Sequence, residues 1–270
     1  MDSVIITGAS GFIGGYLAAY FSQKKYNVLP YSKQKLYEMN ESDFTDVDYI
    51  IHCAAYGNYS DQDNELETID ANFQLLYNLL TLTQPIKYKA FINFSSSSVL
   101  LPYDTFYSAT KAAGERILTA YVNKYNKPAL SIRPYTVTGP GEQQRHLIPT
   151  LINSCMTGVM MDFASEPVHD YIHVNDICES VDTAMLYASQ LKGKAIDVGT
   201  GVMTSNDQVK SLVEKYTQKK AVIRRVDSVR LYDNYEWRCK YSELSKYGWK
   251  PKYTVEEAIK EMVYESTRSN

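Results

Sequence analysis

The chain has 270 residues and a formal net charge of -3, with 28 basic and 31 acidic side chains. This length is enough for one large domain or two lobes, and the near balance of charge excludes the broad basic surface that binds nucleic acid. The four cysteines form no Cys-x-x-Cys pair and no apolar run approaches the roughly 18 residues of a membrane span, so we expect no metal site, no membrane partner and a cytoplasmic protein with reduced thiols.

The first predicted elements are a short buried strand over residues 4–6 and an amphipathic helix over residues 12–21, with three glycines at intervals of three between them. Glycine permits a tight turn, lets a phosphate approach the main chain and lets the helix lie close to the strand. The helix then presents free N–H groups and the positive end of its dipole to an anion. An ordinary, tightly packed strand–turn–helix is the alternative, but this context favours a dinucleotide site. The cofactor-binding residues predicted here are Gly8, Ser10, Gly11, Phe12, Ile13 and Gly14.

The end of the second predicted strand, over residues 27–31, bears on the choice of cofactor. In dinucleotide folds an acidic residue at this point binds the 2′-hydroxyl of the adenosine ribose. Here the strand is followed by Ser32, Lys33, Gln34 and Lys35, without an acid. A hydroxyl and two cations suit a 2′-phosphate, so the sequence favours NADP, with Ser32 and Lys33 as contacts and NAD as the second candidate. The alternative is a solvated turn that carries its lysines by chance.

A third predicted strand, over residues 49–51, leads into Ala54 and Ala55. Small side chains at the carboxyl end of a strand leave space for a cofactor that crosses the edge of the sheet. Apolar residues then recur at helical spacing over residues 64–81, and Asn72 interrupts them. Asn72 either holds the end of a neighbouring strand or occupies an ordinary solvated helix position.

A fourth predicted strand, over residues 90–94, runs directly into four serines, and a helix follows to about residue 125. Four Tyr-x-x-x-Lys pairs occur in this tyrosine-rich chain, so the pattern alone carries little weight. Only the pair Tyr107 and Lys111 follows a hydroxyl-rich strand end and precedes small residues that permit close packing. Because residues four apart share one helix face, this pair is the predicted catalytic one.

The second half of the chain predicts a further series of elements. They are a strand over 130–133, a loop over 134–140, a helix over 147–156, an irregular stretch over 160–163, an extended segment over 169–176, a helix over 181–191 and a strand over 195–198. Ser205 with Gln208, and Thr254 with Glu257, predict capping boxes for two last helices.

Taken together, these motifs resemble those of the extended short-chain dehydrogenases/reductases of the nucleotide-sugar epimerase and dehydratase kind. The resemblance covers nearly the whole chain, and its landmarks occur in the family's order. They are Thr7-Gly8-x-x-Gly11-x-x-Gly14, His52-Cys53-Ala54-Ala55, Asn72, Ser96 three residues before Val99, Tyr107 with Lys111, Arg133-Pro134, Asp170-Tyr171-Ile172-His173-Val174-x-Asp176 and Gly248-Trp249-x-Pro251.

The resemblance implies an α/β fold with a doubly wound, mostly parallel Rossmann sheet and a smaller C-terminal lobe for the substrate. The expected division is a dinucleotide-binding domain over residues 1–135, to which residues 170–200 return, and a mainly substrate-binding lobe over residues 136–270. It also implies hydride transfer at a sugar carbon.

The family's catalytic roles carry over to three residues of this chain. Tyr107 exchanges the hydroxyl proton, and Lys111 lowers the tyrosine pKa from its usual value near 10 and holds the nicotinamide ribose. Ser96 hydrogen-bonds the reacting oxygen, with Ser97 as the fallback if the register slips by one. The further cofactor contacts implied are Ala54, Ala55, Asn72, Tyr107, Lys111, Pro134 and Val137. The substrate contacts implied are Ser96, Ser97, Thr136, Arg145, His169 and Arg238.

Several positions depart from the family's patterns. Ser97 and Ser98 stand where 4,6-dehydratases carry Asp-Glu, and Ser98 stands where the GDP-fucose enzyme carries its epimerising cysteine, which argues against both reactions. His169 and Thr136 replace an arginine and an asparagine that usually grip the diphosphate. The arginines that could replace that grip are Arg145, Arg224, Arg225 and Arg238.

These features predict an NADP-dependent ketoreductase that acts on a nucleotide-linked keto-sugar. A nucleotide-sugar 4-epimerase with retained NAD is the runner-up, and a cofactor-binding regulatory protein without turnover is the alternative from another class. The family's habit of pairing the two long helices between subunits predicts a homodimer. The apolar residues expected at that interface are Leu66, Phe73, Leu80, Ile117 and Tyr121.

Overall fold

A computed structural model describes residues 1–58, 61–228 and 236–268, with residues 33 and 34 described by their backbone alone. The strands are β1 (Ser3–Thr7), β2 (Asn27–Tyr31), β3 (Tyr49–His52), β4 (Ala90–Phe94), β5 (Ala129–Pro134), β6 (Thr136–Thr138), β7 (Met161–Phe163), β8 (Val168–His173), β9 (Ala195–Val198), β10 (Met203–Ser205) and β11 (Ile223–Arg225).

Helices follow most of these strands. They are α1 (Phe12–Gln23), α2 (Lys33–Glu38), α3 (Glu65–Ile69), α4 (Leu75–Leu82), α5 (Phe106–Tyr125), α6 (Leu147–Thr157), α7 (Val174–Leu186), α8 (Ala188–Leu191), α9 (Asn206–Thr217) and α10 (Val255–Arg268). A π-helical turn (Asp70–Gln74) joins α3 to α4, and 3-10 turns occupy Glu41–Phe44, Ser97–Leu100 and Glu243–Tyr247.

Six strands of the described residues form one parallel sheet in the order β2-β1-β3-β4-β5-β9. Alternate residues of β1 point to opposite faces, so Val4 and Ile6 join the core beneath α1 and α7 while Ile5 joins the core beneath α4 and α5. Helices therefore cover both faces, as is usual for a parallel sheet. The expected doubly wound α/β fold is confirmed.

The chain leaves β1 towards β2 and then crosses back to β3 on the other side of β1. The carboxyl ends of β1 and β3 therefore form the topological switch point, where open α/β sheets bind their ligands. Two smaller sheets, β10-β8-β6 and β11-β7, accompany a third core among α6, α9 and α10. The Asp176 carboxylate on α7 holds the segment before α10, because it accepts the N–H groups of Lys252 and Tyr253 at 2.9 and 3.1 Å.

Several predicted boundaries differ from the structure. The loop expected over 134–140 contains β6, which pairs with β8, and the irregular stretch over 160–163 contains β7, which pairs with β11. The helix expected at residue 181 begins at Val174, where the imidazole Nδ1 of His173 accepts the Asn175 N–H at 3.0 Å and caps it. Both predicted capping boxes are present.

Two of the residues expected at a dimer interface do not lie on the surface. Leu80 and Tyr121 are only 2% and 8% exposed, within the core of their own chain, so that part of the prediction is wrong. Leu66 is 79% exposed, and Ile69 and Tyr77 expose 40% and 46%. Within the three described ranges, no helix is long and apolar enough to cross a membrane.

Candidate active site

The glycine-rich loop between β1 and α1 is shaped by backbone contacts that leave no room for side chains. A Cβ atom on Gly8, whose φ is +70°, would lie 2.8 Å from the Ala54 nitrogen, and one on Gly14 would lie 2.2 Å from the Gly8 oxygen. Helix α1 begins after Gly11 without a side-chain cap. Its first N–H groups are therefore left for an external acceptor.

The residues that follow β3 are tied to the end of β1. The Thr7 Oγ1 accepts the N–H groups of Cys53 and Ala54 at 3.1 and 3.2 Å and lies 2.8 Å from the Nδ1 of His52. Because the threonine oxygen already accepts two hydrogen bonds, its own hydrogen is directed to that nitrogen. Thr7 and His52 therefore fix the two strand ends that flank the switch point.

Asn72 occupies the π-helical turn and is only 3% exposed, so the solvated alternative is wrong. Its side-chain amide accepts the Tyr56 N–H at 3.0 Å and donates to the Tyr56 carbonyl at 2.8 Å. It also donates to Thr110 Oγ1 on α5 at 3.1 Å. Asn72 thus joins the loop after β3, which contains Ala55, to the helix that carries Tyr107 and Lys111.

Lys111 is buried, and its Nζ donates to the carbonyl oxygen of Phe94, the last residue of β4, at 2.9 Å. The same Nζ lies 5.7 Å from the centroid of the Tyr107 ring. Since Ser96 follows Phe94 by two residues, one hydrogen bond connects helix α5 to the strand end that carries the predicted catalytic hydroxyl. The structure thereby brings Ser96, Tyr107 and Lys111 to one edge of the sheet.

The serine run leads into a short 3-10 turn, in which the serine hydroxyls differ in their hydrogen bonds and exposure. Ser96 caps the turn, and its Oγ accepts both the N–H of Ser98 at 3.1 Å and the hydroxyl of Ser98 at 2.8 Å. With both lone pairs engaged, the Ser96 hydroxyl keeps its hydrogen for donation to another group. Ser97 is only 1% exposed, so Ser96 is the better placed of the two candidate catalytic hydroxyls.

Burial sets the protonation states around Lys111. Its pKa falls to about 8 because its charge is taken out of water. The pKa of His52 falls to about 3 through its own burial and through the charge of Lys111. Burial raises the pKa of the Cys53 thiol well above its ordinary value. At neutral pH the local charge is therefore the ammonium of Lys111, between a neutral imidazole and a neutral thiol.

A buried chain of polar groups lies beneath the serine run. Glu115, one turn after Lys111 on α5, accepts the hydroxyl of Ser95 at 2.5 Å and two N–H groups of Arg133 at 2.7 and 2.6 Å. Arg133 in turn lies 3.6 Å from a carboxylate oxygen of Asp197 on β9. These four residues connect the end of β4 with α5, β5 and β9, so they hold α5 in register with the serine run.

The predicted contacts to the adenosine end lie at the carboxyl end of β2. Ser32 caps α2, and its Oγ accepts the N–H of Lys35 at 3.3 Å. The Nζ of Lys35 lies 4.0 Å from the centroid of the Tyr31 ring, which holds this cation beside the end of the strand. The side chain of Lys33 lies outside the described residues. Ser32 therefore has a structural role, and only its exposed face remains for a ligand.

The predicted substrate residues divide into two groups. His169 and Thr136 lie on neighbouring strands of the small sheet, β8 and β6. Arg145 forms an exposed ion pair with Asp61, in the loop after β3. The further candidates for a diphosphate contact are also engaged: Arg238 with Glu236, Arg224 with Asp162 and Arg225 with Ser165.

A cavity of about 400 Å³ adjoins the glycine-rich loop. Residues from both the first helix and the loop after β6 line it, namely Ser10, Gly11, Phe12, Gly15, Tyr16 and Gly141. Three features fit a dinucleotide: α1 begins without a cap, the glycine turn has no room for Cβ atoms, and Lys111 lies at the end of β4. Pro134 ends β5, and Val137 lies three residues later in β6, which belongs to the smaller sheet β10-β8-β6. The residues of the glycine-rich loop and of the neighbouring strand ends therefore fit an NAD(P) cofactor.

Comparison with known proteins bears on this site directly. A sequence model of the NAD dependent epimerase/dehydratase family matches residues 4–199. The chain belongs to the NAD-dependent epimerase/dehydratase family. The expected resemblance is thus confirmed, and this family member is an NAD(P)-dependent enzyme of the extended short-chain dehydrogenase/reductase type. The glycine-rich loop, Tyr107 and Lys111 all lie within the matched residues.

Curated relatives within the family are distant. A trifunctional UDP-glucose 4,6-dehydratase/UDP-4-keto-6-deoxy-D-glucose 3,5-epimerase/UDP-4-keto-L-rhamnose-reductase of Arabidopsis thaliana is 29% identical over 63% of this chain. The matched part spans only 26% of that protein's length. A Bacillus subtilis protein described as an uncharacterized UDP-glucose epimerase, YtcB, is 26% identical over 84% of this chain and 85% of its own.

Solved structures show the same fold. MoeE5, in complex with UDP-glucuronic acid and NAD, superposes over 100% of both chains with a TM-score of 0.88 and 21% identity. RMD from Pseudomonas aeruginosa, complexed with NADPH, superposes over 100% of both chains with a TM-score of 0.84 and 17% identity.

Sequence reasoning missed two parts of this family member's site. Glu115 lies four residues after Lys111 on the same helix face, and that spacing could have placed it beside the predicted pair. Its bond to Arg133 on β5 carried no local signal. Trp237 carried no signal in the sequence. Its indole N–H donates to the Ser97 carbonyl oxygen at 3.3 Å, so a residue distant in sequence reaches the serine run.

Proposed function

We propose that this family member is an NADP-dependent ketoreductase that acts on a nucleotide-linked keto-sugar. The observation that carries the proposal is the Ser96 hydroxyl, whose two lone pairs are occupied by Ser98 and whose hydrogen is left to donate. A donor at this point suits the oxygen of a carbonyl substrate, on which negative charge develops during reduction. Bound NADPH supplies the hydride.

Tyr107 provides the proton in this proposal, and Lys111 has two tasks. Its ammonium, 5.7 Å from the centroid of the Tyr107 ring, favours the tyrosinate that forms when the proton leaves. It also holds the ribose next to the nicotinamide. The Lys111 Nζ donates to the uncharged carbonyl oxygen of Phe94, a contact that does not neutralise its positive charge, so that charge can act on Tyr107.

The serine run also weighs on the type of reaction. Water elimination needs an acid and a base beside the reacting carbon, and the segment after Phe94 offers four serines instead. In the structure Ser98 serves to orient Ser96. A direct transfer of hydride and proton requires nothing more from this segment, which supports reduction over dehydration.

The substrate class follows from the relatives. The Arabidopsis and Bacillus proteins are both named for enzymes of UDP-linked sugars, and the Arabidopsis name includes a keto-sugar reductase. The preference for NADP rests on the end of β2, where Ser32 and Lys35 stand and no acid follows. A homodimer completes the proposal, paired through the stretch near residues 64–82, which holds α3 and α4, and the stretch near residues 106–125, which is α5.

The test supplies the purified protein with NADPH and dTDP-4-keto-6-deoxyglucose, and separately with UDP-glucose without added cofactor. Stoichiometric loss of NADPH absorbance in the first assay, abolished in Tyr107→Phe, is expected. Interconversion of UDP-glucose and UDP-galactose in the second assay, without NADPH loss in the first, would identify a 4-epimerase that retains NAD. Tight cofactor binding without turnover across a panel of UDP-, dTDP- and GDP-linked keto-sugars would support the regulatory alternative.

A further inference from the structure

Trp237 reaches three strand ends of the candidate site from a distant part of the chain. Its indole N–H donates to the Ser97 carbonyl oxygen at 3.3 Å. Its ring centroid lies 6.3 Å from that of Tyr135, at the junction of β5 and β6, and 6.2 Å from that of His169, on β8. Trp237 therefore adjoins two predicted substrate residues, Ser97 and His169, and the residue that precedes a third, Thr136.

The backbone that follows Trp237 is held firmly against the sheet. The fully buried Asp170 carboxylate accepts the N–H of Cys239 at 2.9 Å and that of Gly201 at 2.8 Å. A Cβ atom on Gly199 would lie 2.7 Å from the Cys239 Cβ, so the two segments pack without a gap. The backbone two residues after Trp237 is thus anchored to the Asp170 carboxylate, which positions the Trp237 ring before any ligand binds.

We propose that Trp237 is a specificity-determining residue whose ring forms the wall against which the sugar of a nucleotide-linked substrate packs. This inference rests on the proposed function. Trp237 is half-buried and its indole N–H is bonded to Ser97, so the part of this side chain that can contact a sugar is the apolar ring. A sugar ring presents C–H groups on its faces and hydroxyls at its edge, so the face fits the indole while the edge meets polar groups.

The position of Trp237 also bears on which carbon reacts. The peptide that accepts its N–H belongs to Ser97, directly after Ser96. A sugar packed against the indole is therefore kept beside the hydroxyl that is proposed to bind its carbonyl oxygen. A rigid aromatic wall in a small polar pocket provides orientation at little cost in side-chain entropy, since the contact with Ser97 already fixes the rotamer.

The test compares nucleotide sugars with the bare nucleotides, by calorimetry on the full chain with saturating NADP. The probes are UDP-glucose, dTDP-glucose and GDP-mannose against UDP, dTDP and GDP. Trp237→Ala should weaken the nucleotide sugar that binds by about tenfold and leave the matching nucleotide within twofold, because only the sugar touches the ring. Trp237→Phe, which keeps an aromatic face, should recover most of the loss. The unchanged nucleotide affinity shows that each variant is folded.

Intrinsic fluorescence gives an independent readout, since Trp237 and Trp249 are the two tryptophans of the chain. Trp249 lies in the core, with its indole N–H donated to the Asp176 carbonyl oxygen at 3.2 Å, and Trp249→Phe leaves Trp237 as the single reporter. The nucleotide sugar should change its emission, and the bare nucleotide should not.

Equal weakening of sugar and bare nucleotide in Trp237→Ala, or no weakening of either, would overturn the role of Trp237 while leaving the proposed function intact. Wild-type protein that binds none of the nucleotide sugars but does bind NADP would overturn the proposed substrate class, and the inference with it.

Discussion

The closest backbone approach of the glycine-rich loop gives the sharpest test of the cofactor site. Gly14→Ala would place a Cβ atom 2.2 Å from the Gly8 oxygen and 2.7 Å from the Gly8 carbonyl carbon. Both are main-chain atoms that cannot rotate away. Reaching an ordinary contact of 3.4 Å requires the separation to grow by 1.2 Å, the difference between the two distances.

This displacement should lower both stability and cofactor affinity. Overpacking against backbone costs about 3 kcal/mol, and the better helix propensity of alanine offsets about 1 kcal/mol of that. We expect a net loss of roughly 2 kcal/mol in the free energy of unfolding and a fall of about 5 °C in Tm. Loss of a single charge-assisted hydrogen bond to the pyrophosphate, as α1 moves, should weaken NADPH binding by at least about tenfold.

The next residue supplies the matched control for stability. A Cβ atom on Gly15 would lie 3.5 Å from the Ala9 oxygen, which is an ordinary contact. Gly15→Ala should therefore stabilise the protein by roughly 0.5–1 kcal/mol through helix propensity alone. Thermal unfolding of both variants and a fluorescence titration of Gly14→Ala with NADPH measure these effects. A Gly14→Ala protein that is as stable as Gly15→Ala and binds NADPH like the wild type would refute the argument.

Four further outcomes are expected. Tyr107→Phe should lose about 10² to 10⁴ in kcat with NADPH affinity unchanged, and wild-type turnover would show that another residue donates the proton. Burial lowers the Lys111 pKa to about 8, so between about pH 8 and 10 the unfolded protein binds this proton and the folded protein does not. The Tm of the wild type relative to that of Lys111→Met should therefore rise over this range, and a Tm difference that stays constant with pH would contradict it. Ser32→Asp should shift cofactor preference towards NADH in paired titrations with NADPH and NADH. A native protein that binds the two cofactors equally would contradict the predicted role of this loop. Leu66→Glu should halve the mass of about 62 kDa that light scattering is expected to give for a dimer of 30.8 kDa chains, whereas a native mass near 31 kDa would rule the dimer out.

The elements with strong local signals could be predicted from sequence, and the first strand–turn–helix is an example. Its strand is buried on both faces, Gly8 has a positive φ, and Gly14 packs against the Gly8 backbone, so neighbours within about ten residues largely determine it. The family landmarks likewise identified Tyr107 and Lys111. Only the structure revealed that Lys111 bonds to the end of β4, because that contact joins residues 17 positions apart in different elements.

The errors arose where distant packing overrides local pattern. Leu66, Phe73 and Leu80 are spaced to share one face of a continuous α-helix, but the π-helical turn between α3 and α4 shifts the phase, so Leu66 faces solvent and Leu80 is buried. Strand β6 is three residues long and forms only because β8 lies beside it. Trp237 is placed by the anchoring of Cys239 to Asp170, which no local spacing indicates.

The π-helical turn also determines where this stretch of the chain can lose a residue. Each residue turns an α-helix by about 100°, and a π turn accommodates one residue more than an α turn. Deleting Gln74, whose side chain is exposed to solvent, would convert the π turn into an α turn and leave α3 and α4 in phase with each other. Deleting one residue inside α4 has no extra residue to absorb it, so it would rotate the buried leucines on one side of the gap away from the core. In a deletion scan, the loss of Gln74 should therefore be tolerated far better than the loss of an exposed residue of α4 such as Asn78.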